Sequence, residues 1–297
     1  MILLVRSYKR TYGEHMSQRI NIIGMGKGDI QMSNKTHRKN HIFKEDKKTF
    51  IMAMDHGNMF NVLPAMKYPG KIVSEVARAG ADAFLSTVGM AEKFADEFHG
   101  KGIILRLDGS CSFLGSKSKP LQTVVNVEDA LRLGADAVIS MGFPGSKWED
   151  QILADLSRNI LDANKWGMPV VAEMLPRGFE GGEDSRTPEN ITFACRMGAE
   201  MGADIIKTEY TGSQETFHEL CESVYVPVVI LGGGKKVSEK KLLTDIKEAV
   251  EAGGAGVAMG RNIWGHEAPA RYAGAIARLI HEECSVEVAL KELNKKF

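Results

Sequence analysis

Three stretches of this chain repeat one phrase. RAGADAFL (78–85), RLGADAVI (132–139) and EMGADIIK (200–207) each pass from a helical pattern through Gly-Ala-Asp into an apolar run, and EAGGAGVAM (251–259) is a looser fourth copy. A glycine at the end of a helix takes the left-handed conformation that turns the chain out of it, and the small residues that follow drop it into a strand. Helix, cap, strand, repeated, is the signature of parallel strands joined by crossover helices.

The rest of the chain obeys the same alternation. Strands are expected at Thr49–Met54, Ala83–Thr87, Ile103–Leu107, Ala137–Met141, Pro169–Met174, the run ending at Lys207, Pro227–Leu231 and Gly256–Met259. Helices are expected between them, notably Pro69–Ala79, Ala91–Phe98, Trp148–Lys165, Pro188–Met201, Gln214–Ser223 and Glu239–Ala252, with Ala268–Glu282 and Ser285–Lys295 closing the chain. Eight such units in about 250 residues fit a closed (β/α)8 TIM barrel better than an open sheet. The fold class is α/β, with residues 49–297 as the catalytic barrel and residues 1–48 as an N-terminal extension. That extension holds eleven Lys/Arg against four Asp/Glu and shows little apolar periodicity. It reads as a solvated arm or as a plug across the barrel bottom. No aromatic residues interleave with its charges as a nucleic-acid stacking surface would require.

Composition excludes several classes of function. Lys+Arg and Asp+Glu are both 38, so no global field attracts nucleic acid or an anionic membrane. No apolar run reaches the roughly 20 residues of a membrane span. The four cysteines are scattered without metal-ligand spacing and read as reduced thiols of a cytoplasmic protein, so no metal site is expected.

In a barrel of this type, chemistry gathers where the strands end. The polar residues at those ends are Asp55 and His56, Asp108, Arg177, Lys207, Gly232-Gly233-Gly234-Lys235, and Gly260-Arg261. Lys207 is the unusual one. An ammonium at the end of a buried strand loses hydration, which disfavours its charged form, and a neutral amine is a nucleophile. The other reading is a lysine that snorkels to solvent or pairs with a carboxylate. The glycines after the seventh and eighth strands suit phosphate, because backbone N–H groups without a Cβ in the way can face an anion, and barrels bind phosphate at those two loops. Asp55 can hold a substrate hydroxyl or shuttle a proton.

MAMDHG, the fifth-strand PRG, IIKTEYTG, ILGGGKK and VAMGRNIW occur in an order that resembles the archaeal-type class I fructose-bisphosphate aldolases. The same group contains aminodideoxyheptulosonate synthases and autoinducer-2 phosphate thiolases. The resemblance runs from about Thr49 to the C-terminus. It implies a Schiff-base lysine at Lys207, the strand-1 aspartate at Asp55, phosphate loops at Gly232–Gly234 and Gly260-Arg261, and in many members a decamer. One position departs: the aldolases and heptulosonate synthases carry a tyrosine acid/base immediately before PRG, and here that residue is Leu175.

The function expected is carbon–carbon bond cleavage or formation in a phosphorylated keto compound, through an iminium ion on Lys207, with no cofactor. Alternatives are acyl transfer from a phosphorylated dione to coenzyme A, a flavin-phosphate oxidoreductase, and a non-catalytic sugar-phosphate-binding barrel. With Leu175 in the tyrosine's place, the proton-transfer candidates are Glu173, on the same strand face, and Tyr210. Glu173 is expected to be a buried carboxyl with a raised pKa, or else an ion-pair partner of Lys207 or Arg177. A homo-oligomer is expected from the resemblance and from the apolar stripe Val286, Val288, Ala289, Leu290 and Leu293, which could instead cover the protein's own barrel.

Overall fold

The computed structural model describes residues 27–56, 62–109, 112, 114, 120–232 and 238–295. Eight strands, β1 Thr49–Ala53, β2 Ala83–Ser86, β3 Gly102–Arg106, β4 Ala137–Gly142, β5 Val170–Met174, β6 Ile205–Thr208, β7 Val228–Leu231 and β8 Gly256–Met259, close into one parallel barrel in sequence order. Thr49 pairs with Gly256 to seal the β1–β8 seam. Side chains alternate along each strand. The inward set includes Ile51, Ala53, Leu85, Ile104, Ile139, Val171, Ile205, Val229 and Ala258, which pack as one interior cluster. The outward set, such as Met52, Phe84, Leu105, Val138, Ala172 and Ile206, packs under the helices. Both faces are apolar, which is why the strands read as continuous hydrophobic runs.

Several helices begin where short polar side chains accept from free backbone N–H groups. Thr187 accepts from Asn190 N at the start of Pro188–Glu200, Ser213 from Thr216 N before Gln214–Ser223, and Ser238 from Lys241 N before Glu239–Glu251. Gly80 ends Pro69–Ala79 at φ 119°, and its missing Cβ would meet the Ala277 Cβ at 2.7 Å, so both conformation and space require glycine there.

The repeated Gly-Ala-Asp phrase closes the lower rim. Asp82 accepts from Phe50 N at 2.7 Å, Asp136 from Ile103 N at 3.0 Å and Asp204 from Val170 N at 3.0 Å. Each aspartate thus ties the base of its own strand to the strand before it. The same carboxylates receive the segment ahead of β1. Helix α1, Lys27–Asn40, lies across this end, with Lys35 on Asp204 at 2.7 Å and Arg38 donating to the Ala135 carbonyl at 2.7 Å. His41 meets Asp136 at 2.6 Å, and Ile42, fully buried, joins the interior cluster from below. The helix is a finding beyond the sequence reading. Its own apolar periodicity is weak, and the charges that hold it lie far along the chain.

Two other differences are local. The helix expected over 91–98 is a helix at Val88–Lys93 followed by a 3-10 turn at Asp96–Phe98. The C-terminal stripe is used within the chain: Ala289 and Leu293 are buried, and Val286 and Leu290 pack against the same core. Most of it therefore covers this protein's own barrel, and Val288, at 38% exposure, is the member left to solvent.

His281, at the end of the helix Pro269–His281, sits 2.8 Å from both Asp46 and Asp82. Burial opposes its charge, but the two carboxylates outweigh burial and raise its pKa above the ordinary value. A raised folded-state pKa contributes stability that is complete below about pH 6.5 and fades as pH rises through the folded value. Replacing His281 with Asn should therefore lower the urea midpoint at pH 5.5 more than at pH 8.5. Equal losses at both pH values would show that the ion pairs contribute nothing.

Candidate active site

The top layer of the barrel interior changes character. One step above Ala53, Ile104, Val171 and Ile205 on the inward face come Asp55, Arg106, Glu173 and Lys207. All four are buried, Arg106 at 1% exposure and Glu173 and Lys207 at 5%. Register places Glu173 directly beside Lys207 across the β5–β6 pair, and Lys207 Nζ lies 2.8 Å from Glu173 Oε1.

Arg106 is the hub. Its Nε donates to Asp55 Oδ2 at 2.9 Å, its Nη1 to Asp108 Oδ1 at 3.1 Å and its Nη2 to Glu173 Oε2 at 2.5 Å. Asp108 also accepts from Met141 N at 2.5 Å. Sequence reading passed over this arginine, although the period of two that makes Ile104 inward does the same for Arg106. Its signal was a charged residue inside the apolar run Ile103–Leu107.

The electrostatics follow from these contacts. Burial would raise the pKa of Glu173, but Lys207 and Arg106 outweigh it and hold the carboxyl below the ordinary range. The raised pKa expected for Glu173 is thus corrected: two cations face it, and it is the ion-pair partner of Lys207. Arg106 and Lys207 likewise outweigh burial at Asp55 and lower its pKa. At Asp108 burial prevails and the pKa is raised. Burial pushes His56 down to about 4, so its ring is neutral near pH 7. That ring stands edge-on to Trp264 with centroids 5.5 Å apart, and its Nδ1 is 3.7 Å from Asp55 Oδ1.

Above this layer a cavity of about 790 Å³ opens at the C-terminal ends of the strands. Asp55, His56, Glu173, Lys207, Tyr210, Gly232, Gly260 and Arg261 are among the residues that line it. A Cβ on Gly232 would meet Asn262 Oδ1 at 2.8 Å, and one on Gly260 would meet Trp264 Nε1 at 2.9 Å, so neither glycine can be replaced without moving the rim. Gly233, Gly234 and Lys235 lie outside the described residues.

Three expected residues take other places. Asp108 lies beneath the cavity, bonded to Arg106, and does not line it. Tyr210 lines the cavity with its ring, but its hydroxyl donates to Glu248 Oε2 at 2.8 Å, and burial with that carboxylate raises its pKa. Arg177 is exposed, outside the lining, in the left-handed region at φ 57°. Arg186 faces the cavity instead. It donates to the Pro176 and Gly178 carbonyls and pairs with Glu209 at 3.1 Å, pinning the loop after β5 to the loop after β6. Among the described residues no group of three or more His, Cys, Asp or Glu is placed to hold a metal ion. No described helix is long and apolar enough to cross a membrane.

Comparison with known proteins gives a consistent result. A family model described as DeoC/LacD family aldolase matches residues 49–266. The 2-amino-3,7-dideoxy-D-threo-hept-6-ulosonate synthase of Halobacterium salinarum is 34% identical over 258 residues, covering 87% of this chain and 96% of its own. The class 1 fructose-bisphosphate aldolase of Thermoproteus tenax is 33% identical over 256 residues, covering 84% and 96%. An archaeal fructose 1,6-bisphosphate aldolase crystal structure superposes with a TM-score of 0.76 at 33% identity, over 84% of this chain and 99% of that one. Another archaeal aldolase structure, with its catalytic lysine covalently bound to the carbinolamine intermediate, gives 0.74 at 33% identity over 83% and 99%.

Removing Arg106 should be costly because it leaves Asp55, Asp108 and Glu173 buried without their shared cation. Arg106→Met is expected to lose about 3–5 kcal/mol in urea unfolding. Arg106→Lys should recover only part of that, because an ammonium cannot fork toward three carboxylates.

Proposed function

The chain belongs to the DeoC/LacD aldolase family and is an enzyme of the class I aldolase type; from that premise we propose that Lys207 is the amine that adds to the carbonyl of a phosphorylated keto compound. The observation that carries the proposal is the pairing of Lys207 Nζ with Glu173 Oε1 at 2.8 Å inside the mouth cavity. Glu173 takes the proton that the ammonium must shed before its lone pair can attack. The carbinolamine then loses its hydroxyl as water, with a proton returned from Glu173, and leaves a cationic iminium. Electrons of the adjacent carbon–carbon bond flow into that iminium, giving an enamine and releasing a carbonyl product. Protonation of the enamine and addition of water then return the second product and the free amine.

Asp55 is suited to the hydroxyl whose proton leaves as that bond breaks. Its Oδ2 is held by Arg106, and its Oδ1 takes no bond from that guanidinium. Phosphate is assigned to the rim of Gly232, Gly260 and Arg261, so that binding energy from a remote group positions the carbonyl over Lys207. A cytoplasmic homo-oligomer belongs to the same reading, and light scattering tests the assembly. Leu175, which puts an apolar side chain where related aldolases have an acid/base tyrosine, favours a second reading. In it Lys207 activates a phosphorylated dione and an acyl group passes to coenzyme A.

Borohydride trapping tests the nucleophile. With a phosphorylated ketone, the native protein should gain the reduced adduct on Lys207, and Lys207→Ala should gain none. An adduct on a different lysine would remove the proposal. Glu173→Gln should still form the adduct on Lys207, but more slowly than the native protein, while turnover falls by about 10²-fold or more. Normal turnover of that variant would take the proton-transfer role away from Glu173.

A further inference from the structure

We infer that the mouth accepts a keto compound with a single anionic end, carrying one phosphate, and disfavours one phosphorylated at both ends. The inference rests on the reading of Lys207 as the carbonyl-binding amine and concerns what lies on either side of it. Among the described residues, five cations line the cavity against four carboxylates. Four of the five are committed. Arg106 is enclosed by Asp55, Asp108 and Glu173, and Lys207 pairs with Glu173. Lys241 pairs with Asp245 along its own helix, and Arg186 pairs with Glu209 while its other nitrogens serve two loop carbonyls. Arg261 is the one cation lining the cavity that has no carboxylate partner among the described residues, and it stands at the glycine rim.

A phosphate monoester brings about 1.5 to 2 negative charges at pH 7. The Arg261 rim can meet one such group. On the far side, the loop after β5 has two arginines, and neither is available. Arg177 is turned to solvent by its left-handed backbone. Arg186 could reach a second phosphate only by leaving Glu209 and the Pro176 and Gly178 carbonyls. Glu209 would then face the phosphate as a like charge in a half-buried site, where such a contact costs more than it would in water.

The wall on that side agrees. Met141, Leu175 and Phe179 line the cavity next to Lys207's neighbour Glu173, and Met141 and Leu175 pack with Leu231 from across the barrel as one apolar cluster. Among the described residues, the side chains that meet the substrate's far end are thus hydrocarbon and offer no uncommitted cation to an anion. The site matches a keto monophosphate whose other end is uncharged.

The test compares two sugars that differ by one phosphate, fructose 1-phosphate and fructose 1,6-bisphosphate. Calorimetric binding to Lys207→Arg, which keeps the positive charge beside Glu173 but cannot add to a carbonyl, reads the charge of the mouth without the covalent step. The monophosphate should bind as well as the bisphosphate, or better, and Arg261→Met should weaken its binding at least tenfold. Tenfold or greater preference for the bisphosphate would overturn the inference, most directly if Arg186→Met abolished that preference. So would an Arg261→Met variant that binds the monophosphate unchanged. Borohydride trapping of the same sugars by native protein separates the two levels. If neither sugar gives an adduct on Lys207, the role of the lysine falls, while the binding comparison still decides the charge of the mouth.

Discussion

One guanidinium, fully buried, holds the functional end of this barrel together. Arg106 reaches carboxylates from β5, from the turn after β1 and from the end of its own strand. Three buried acids could not share so small a volume without it, and a buried cation could not persist without them. The arrangement sets the orientation of Glu173, which turns one oxygen to Arg106 and the other to Lys207. The lysine proposed as nucleophile needs a neighbour that can accept its proton and stay in place. Here that neighbour is held from behind by a group that does not titrate near neutral pH.

The charged layer rests on a purely apolar one and is topped by a mouth of mixed character. Its glycine-rich side is open and cationic, and its β4–β5 side is apolar and internally neutralised. This asymmetry is a consequence of small events in the chain. Leu175 sets hydrocarbon at the end of β5. A left-handed residue at Arg177 sends one arginine outward, while Gly178 beside it, also left-handed at φ 59°, leaves no room for a Cβ against the Phe143 ring. Arg186 then ties down the loop that the turn creates.

Much of this was legible in the sequence, and the parts that were not share a cause. The repeated Gly-Ala-Asp phrase and the strand periods lead to the eight-stranded barrel, because both report local backbone requirements. Lys207, Asp55 and the terminal glycines were visible because strand ends are marked by composition. Arg106 was hidden because its meaning comes from three carboxylates, two of them on other segments more than 50 residues away in sequence. Helix α1 was hidden for the same reason: Asp136 and Asp204, which receive it, belong to later repeats. The choice between Arg177 and Arg186 depends on a single backbone rotation, which residue type does not reveal.

The lower rim carries a regularity of its own. Asp82 joins β2 to β1, Asp136 joins β4 to β3, and Asp204 joins β6 to β5, each also giving its main-chain N–H to the partner strand's carbonyl. Ala255 makes only the main-chain half of that contact, from β8 to Val228 of β7. The aspartate clasp therefore lies inside three of the four two-strand quarters, and a main-chain bond at the same place ties all four. A barrel of this kind can arise by copying a single gene fragment, since each added copy brings its own lock, and a ring is complete when the fourth meets the first.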